Sequence, residues 1–411
     1  MRRLIPLGIA VLLVLHAANA QDGSTPLHWA SYRDDLDAAD KLIRSGTNVN
    51  AANDLGATAL WAASQNGSSA MVRKLLAAGA NPNLALLAGE TSLMVAARSG
   101  YPDVVDQLAA KDANVNARGA RGQTALMWAV SQKHPDVVKV LLAHHADLKA
   151  RSDVWSEVEA VSPHGTDEYN KAIPHGGDTA LLFAARSGDL ESAKLLLVAG
   201  ADVNDEDAWG VSTIVMAAHS GPGEMVNYLL EKGANPNAAR AGFTALHIAI
   251  MRRDEKMVAA LLTHGADANA PLRSWTPMRR SSHDYNFEPA LVGATPFWMA
   301  ARFTEPAIMR LLMKHGADPL FVHHAEYVAG TSFQRRKETT NALQAAVGMG
   351  TGTPWVILPR AEREVPMLEA VRLAVELGID VNAPGPGGRT ALDAATLLRF
   401  SSVVKFLTAP R

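Results

Sequence analysis

Apolar positions in this chain recur at helical spacing in short bursts, and the bursts come in pairs. The first of each pair follows a threonine and carries adjacent alanines, as at Ala62-Ala63, Ala96-Ala97, Ala184-Ala185 and Ala300-Ala301. Threonine is a good N-cap, and in Thr25-Pro26 and Thr295-Pro296 proline takes the first helical position, where its missing N–H costs nothing. A break such as Asn66-Gly67, Ser99-Gly100 or Ser187-Gly188 ends this first helix. The second often opens on Pro-Asp (Pro102-Asp103, Pro135-Asp136), and Val104, Val105 and Leu108 fall on one helical stripe. It stops at Gly79, Gly200, Gly233, Gly265 or Gly316, in the slot where a left-handed C-cap is wanted. Asp112 and His145 fill that slot in two units, and both residue types tolerate positive φ better than most.

The pairs are periodic. A Thr-x-Leu-x-x-Ala phrase begins at Thr25, Thr58, Thr91 and Thr124, each 33 residues after the last. It returns at Thr179, at Thr213 (with Val215 in the leucine slot), at Thr244 and at Thr295; a degenerate copy starts near Asn341-Ala342-Leu343 and a last one at Thr390-Ala391-Leu392. Phrases such as Ala80-Asn81-Pro82-Asn83 and Ala201-Asp202-Val203-Asn204 join the units, and their Asn, Asp and Gly predict hairpin-like turns. A single unit of this size cannot bury its apolar face, so stacking must supply the core and the two end units must shield it.

The order turn, helix, break, helix and glycine cap in 33 residues resembles the ankyrin repeat. Thr25-Pro26-Leu27-His28-Trp29-Ala30 carries the likeness for the first helix, and Leu262-Thr263-His264-Gly265-Ala266-Asp267 for the end of the second. The resemblance covers about Asp22 to Thr408 and implies an all-α ankyrin-repeat solenoid of about ten helix–turn–helix units with β-hairpin-like fingers. It further implies an L-shaped stack with first helices lining a concave face, and a scaffold for protein binding without an enzyme active site. The expected organisation is a signal peptide over 1–20, repeats one to four over 21–150, and an insertion over 151–175. Repeats five to seven follow over 176–270, an insertion over 271–291, repeat eight over 292–319 and an insertion over 320–339. A degenerate repeat nine, with an internal insertion near Gly348 to Arg363, occupies 340–386, and a capping repeat ten occupies 387–411.

Charge and composition narrow the partner. The formal net charge of −2 gives no electrostatic reason to expect nucleic acid or an anionic membrane surface. The chain has no cysteine, which excludes disulfides, thiolate metal sites, covalent haem attachment and a lipoprotein anchor. Arg2 and Arg3, the apolar run Leu4 to Leu15 and Ala18-Asn19-Ala20 read as a secretory signal rather than a membrane anchor, because the apolar run is short. No later segment reaches a spanning length, so the mature protein is expected in the periplasm or outside the cell, with no membrane span.

The insertions hold Trp155, Tyr169, Trp275, Tyr285, Phe287, Phe321, Tyr327, Phe333 and Trp355, nine of the 23 aromatic residues. Such enrichment is unlike a disordered linker. Each ring either packs its loop onto the stack or anchors a partner. Trp209, in the finger-tip phrase Asp207-Ala208-Trp209-Gly210, has little of its own repeat to pack on. Trp155, Tyr169, Trp209, Trp275, Tyr285 and Trp355 are therefore the candidate protein-binding residues.

Signs of chemistry are weak. His164, His175, His283, His323 and His324 lie in or beside insertions at no recognisable ligand spacing, and His28 and His247 occupy the slot that is structural in the family. Gly348-Met349-Gly350-Thr351-Gly352 faintly resembles a phosphate loop but lacks the Lys-Ser/Thr that would complete one. Arg279-Arg280 and Arg335-Arg336-Lys337 are short basic clusters. No catalytic residue, cofactor or metal is expected. The leading reading is an exported scaffold that binds a protein through its concave face, fingers and insertions; a metal-dependent or hydrolytic enzyme built into the insertions and a passive spacer are the alternatives. The mature chain should begin at Gln21. N-terminal sequencing of the native protein checks this, and a retained Met1 on cytoplasmic material would contradict export.

Overall fold

In the computed structural model the described residues are 22–160, 170–220, 223–276, 287–329, 334–353 and 357–409, and they form twenty α-helices and two antiparallel strand pairs. They divide into two compact units, those of Met1–Asp153 with Glu191–Ala201 and those of Val154–Leu190 with Asp202–Arg411. The signal-like segment lies outside the described residues.

The first unit begins with four helix pairs: α1 (Pro26–Tyr32) and α2 (Leu36–Arg44), α3 (Ala59–Gln65) and α4 (Ser69–Ala77), α5 (Ser92–Ser99) and α6 (Pro102–Ala109), α7 (Ala125–Ser131) and α8 (Pro135–Ala143). First helices pack on first helices and second on second, because Ala63, Ala96, Ala97 and Ala129 are buried to the backbone and let the axes approach. Strands β1 (Val154–Ala160) and β2 (Asn170–Gly176) precede α9 (Ala180–Ser187) and α10 (Leu190–Val198). The second unit continues with the pairs α11 (Thr213–Ser220) and α12 (Gly223–Glu231), α13 (Ala245–Met251) and α14 (Glu255–Thr263), and α15 (Pro296–Arg302) and α16 (Pro306–Lys314). Then come β3 (Val322–Val328) and β4 (Arg335–Asn341), the pair α17 (Ala342–Ala346) and α18 (Arg360–Glu376), and the last pair α19 (Ala391–Leu397) and α20 (Ser401–Thr408).

Local chemistry sets the helix ends. Thr58, Thr91, Thr124, Thr244, Thr295 and Thr390 each accept the N–H three residues on. Thr213 departs from this pattern: it sits inside α11, and its hydroxyl donates to the Asp205 carbonyl at 3.1 Å. The expected C-cap residues all have positive φ, Asp112 at 62° and His145 at 61° included. Arg372 of α18 lies 5.2 Å from the Phe406 ring of the last pair, a cation–π contact between neighbouring second helices.

Two kinds of side chain stitch neighbouring repeats. His247 is fully buried; its Nε2 lies 3.1 Å from the Ala270 carbonyl, and its Nδ1 accepts from the Thr244 N–H at 3.1 Å. These bonds require the neutral ring with its proton on Nε2. His28 makes the same set to Thr25 and the Ala57 carbonyl, and Trp298 and Gln344 fill the slot in later repeats by donating to the Thr340 and Ala383 carbonyls. Asparagines at the finger bases form the second stitch. Asn83 donates to the Asp112 carbonyl at 3.0 Å and accepts from Asn114 N–H at 2.7 Å. Asn237 does this with Gly265 and Asp267, and Asn269 with Gly316 and Asp318.

The insertions form strands where the sequence indicated only long loops. β1 pairs with β2 in a register that sets Trp155 opposite His175, so this insertion lengthens a finger. β3 pairs with β4, and burial along β3 alternates, with His323, Ala325 and Tyr327 inward. The flanks of the second insertion pair through Thr276 and Phe287. The fourth insertion is shorter than expected, because α18 already begins at Arg360 and runs 17 residues.

Two stability changes follow. Burial pulls the His247 pKa from 6.5 down to about 4, so the folded state excludes its proton. Stability from this group is complete above pH 6.5 and falls as pH drops toward 4, with about 2 kcal/mol lost by pH 5. Urea unfolding of the parent and of His247→Gln across this range should show the slope flattened in the variant. Asn83→Ala should cost about 1–2 kcal/mol, with hydrogen exchange raised in the adjoining repeats rather than along the whole chain.

Candidate functional site

The fingers are tied to each other by backbone bonds. Leu87 N–H donates to the Leu55 carbonyl at 3.0 Å and Asp153 N–H to that of Arg121 at 2.8 Å in the first unit. In the second, Ala208 N–H donates to the Gly176 carbonyl at 3.0 Å and Arg273 N–H to that of Gly242 at 2.8 Å. Arg240 adds a bond to the Asp207 carbonyl and an ion pair with Glu206 at 2.6 Å. The finger side of the second unit is thus a braced surface, and it carries the three candidate tryptophans that the structure describes.

All three are half-buried. Trp155 on β1 stacks on His175 with ring centroids 5.6 Å apart and planes at 22°. Trp209 lies in the turn of its finger. It meets Phe243 of the next finger edge-on at 5.8 Å, and Phe243 in turn lies 5.2 Å from Phe287, which caps His247. Trp275 packs on Val328 of β3. Each ring therefore has a fixed neighbour in the protein: His175 for Trp155, Phe243 for Trp209 and Val328 for Trp275. Tyr169, Tyr285 and Trp355 lie outside the described residues. Phe287 and Tyr327, also counted among the insertion aromatics, are buried and serve packing.

Beside Trp209 the electrostatics are specific. Asp207 accepts from Gly210 and Val211 N–H at 2.9 and 2.8 Å, which fixes the finger turn. Burial, and then the negative charge of Asp178, push its pKa up to about 6. Asp178 is itself buried and held by both terminal nitrogens of Arg186 at 3.1 and 2.7 Å. The same acid-to-arginine bridge over eight residues joins Glu90 to Arg98, where burial raises the carboxylate pKa against the arginine's pull.

Sequence reasoning did not single out Phe243 or the Asp178–Arg186 bridge. The signal was present: Phe243, Asp178 and Glu90 each stand just before a capping threonine, where other repeats carry Ala57 or Ala294. It also missed exposed aliphatic residues on the fingers, Leu55 and Leu87 in the first unit and Val154 and Val158 on β1. The histidines behave as hydrogen-bonding residues: His323 bonds the Ala290 carbonyl at 2.9 Å and His324 the Thr339 hydroxyl at 3.1 Å. Among the described residues no group of His, Asp and Glu could hold a metal ion, and no helix is long and apolar enough to cross a membrane. Arg335 and Lys337 pair with Glu326 across the ribbon at 3.1 and 3.3 Å, so that basic cluster is balanced locally; Arg279-Arg280 lies outside the described residues.

Comparison with known proteins agrees with this architecture. The family model for ankyrin repeats (3 copies) matches residues 6–85, 80–152 and 181–272, more than half of the chain. A Treponema pallidum (strain Nichols) protein described as ankyrin repeat-containing is 36% identical over 93 residues, 22% of this chain and 31% of that protein. The mitochondrial disaggregase of Bos taurus is 33% identical over 151 residues, 28% of this chain and 22% of its own length. The chain thus spans less than a third of either relative. Among solved structures, the ankyrin repeat domain of human ASB11 is 25% identical with a TM-score of 0.48, covering 59% of this chain and 99% of that domain. With the capped helix pairs, the structural histidines and the family match in agreement, the chain belongs to the ankyrin-repeat family.

Proposed function

We propose that this protein is an exported scaffold that binds a protein partner through the finger side of its second unit and catalyses no reaction. The observation that carries the reading is the state of Trp155, Trp209 and Trp275: each packs against a fixed neighbour, His175, Phe243 or Val328, and each is only half-buried. A ring so held has lost its rotamer freedom before binding, so contact with a partner gains area at little further entropic cost. Tyr169 and Tyr285, in finger insertions, and Trp355, in the insertion between the helices of repeat nine, remain candidates by sequence alone. The near-neutral charge favours a protein over nucleic acid. The basic, apolar and small-residue order of the first twenty residues supports export to the periplasm or beyond. A passive spacer has no use for braced, aromatic fingers.

The test is affinity capture from the native envelope with mass-spectrometric identification, followed by binding measurements on Trp155→Ala, Trp209→Ala and Trp275→Ala. Loss of an anchor should cost about 2 kcal/mol, roughly thirtyfold in affinity. Thermal unfolding is recorded on the same proteins, because Trp209→Ala also removes a contact to Phe243. If all three fold and bind like the parent, recognition lies elsewhere.

A further inference from the structure

The turns between paired helices in the last four repeats line an open pocket of about 440 Å³ in the second unit. Arg253, Arg302, Arg360 and Arg363 line it, and no described lining residue is a carboxylate. The volume is in the range of small-molecule sites. The four cations arrive from different elements: Arg253 from the turn after α13, Arg302 from the end of α15, and Arg360 and Arg363 from the start of α18.

Arg360 lies within the field of Glu364, so the less answered charge sits on Arg302 and Arg363. Arg253 forms an ion pair with Glu305. Arg360 donates to the Leu398 carbonyl and lies 5.1 Å from the Phe400 ring, and Arg363 donates through Nε to the Leu358 carbonyl at 2.6 Å. Carbonyls orient a guanidinium without neutralising it. Arg302 is the sharpest case: its Nε is buried with no acceptor among the described residues. Glu288 and Glu338 are the acids whose charge reaches Arg302, yet neither forms an ion pair with it. Glu288 accepts instead from Thr353 N–H and hydroxyl, and Glu338 from the Tyr327 hydroxyl. A buried guanidinium N–H with no acceptor and no ion pair is costly, and an anion in the pocket would offset that cost. Thr304, at φ 58°, also lines the pocket. Other repeats hold the same left-handed turn with Gly67, Gly100 or Gly188, or with Asp34, Lys133, Arg253 or Arg399, and only here is the residue β-branched.

We propose that this pocket binds a phosphate monoester carried on an apolar body. Guanidinium groups bind phosphate oxygens in parallel pairs of hydrogen bonds, and a dianion with three terminal oxygens can engage several forks at once. A carboxylate has two oxygens and one charge, too few for Arg302, Arg360 and Arg363 together. Phe303, Ile357, Leu358 and Met367 line the rest of the pocket and suit the apolar part of the ligand.

The test is calorimetric titration of the full chain with phenyl phosphate in phosphate-free buffer at low salt. Parallel titrations use inorganic phosphate and benzoate. Saturable binding of phenyl phosphate, at least tenfold tighter than either of the others, is the expected result. Arg302→Gln and Arg363→Gln should each weaken it tenfold or more. Arg310→Gln should leave it unchanged, since that arginine is exposed on α16 and faces Glu369 at 3.6 Å. Should Arg302→Gln fail to fold, Arg363→Gln alone decides. Absence of saturable binding, equal binding of benzoate or inorganic phosphate, or unchanged affinity in Arg363→Gln would overturn the assignment. Equal weakening by Arg310→Gln would also overturn it, as the mark of non-specific charge attraction. The measurement needs no protein partner, so its failure is separable from failure of the finger-side reading.

Discussion

A single asparagine side chain satisfies both a carbonyl and an N–H of the next repeat, and the stack depends on that pair of hydrogen bonds. Helices of five to nine residues, α18 aside, have little besides packing to hold their relative height. The amide of Asn83, Asn237 or Asn269 fixes the height, because its oxygen and nitrogen meet backbone groups two residues apart in the next unit. Those groups come from the left-handed turn that closes the neighbouring second helix. The glycine cap is thus both the end of one helix and the socket for the preceding repeat.

The buried imidazoles act on the other side of the same joint. His28 and His247 close the first turn of their own helix with one nitrogen and reach the following segment with the other. Trp298 and Gln344 replace them where the neighbouring chain is a ribbon strand end or the last finger. A donor reaching a carbonyl in the next unit is one way to fill this slot, and several side chains supply it; Met94 and Met127 fill it by apolar packing instead.

Much of this was legible in the sequence because it is local. A threonine before an apolar stripe, a proline at the first helical position and a glycine past the last turn each act within four residues, and their period gave the repeat count. The ribbons were not legible in the same way. β4 reads Arg335-Arg336-Lys337-Glu338-Thr339-Thr340, polar on both faces, and it is a strand only because β3 pairs with it and turns His323, Ala325 and Tyr327 inward. The start of α18 was hidden by Pro366, which sits inside that helix and reads in isolation as a breaker. Of the candidate site, the residues were readable and their neighbours were not. Trp209 stood out as a large ring at a tip, but its platform, Phe243, lies 34 residues away and belongs to it only through the stacking.

The asparagine joint also bears on how such a chain can change length. Asn269 reaches Gly316 and Asp318, 47 and 49 residues onward, through the same two bonds that elsewhere span 28 to 31. The additional residues leave and re-enter at the finger without altering the joint. Closing a longer excursion costs only about 0.6 kcal/mol for each doubling of its length. The fingers are therefore ports at which segments of very different size can be exchanged while the scaffold beneath keeps its register, and recognition can diversify there without the core being rebuilt.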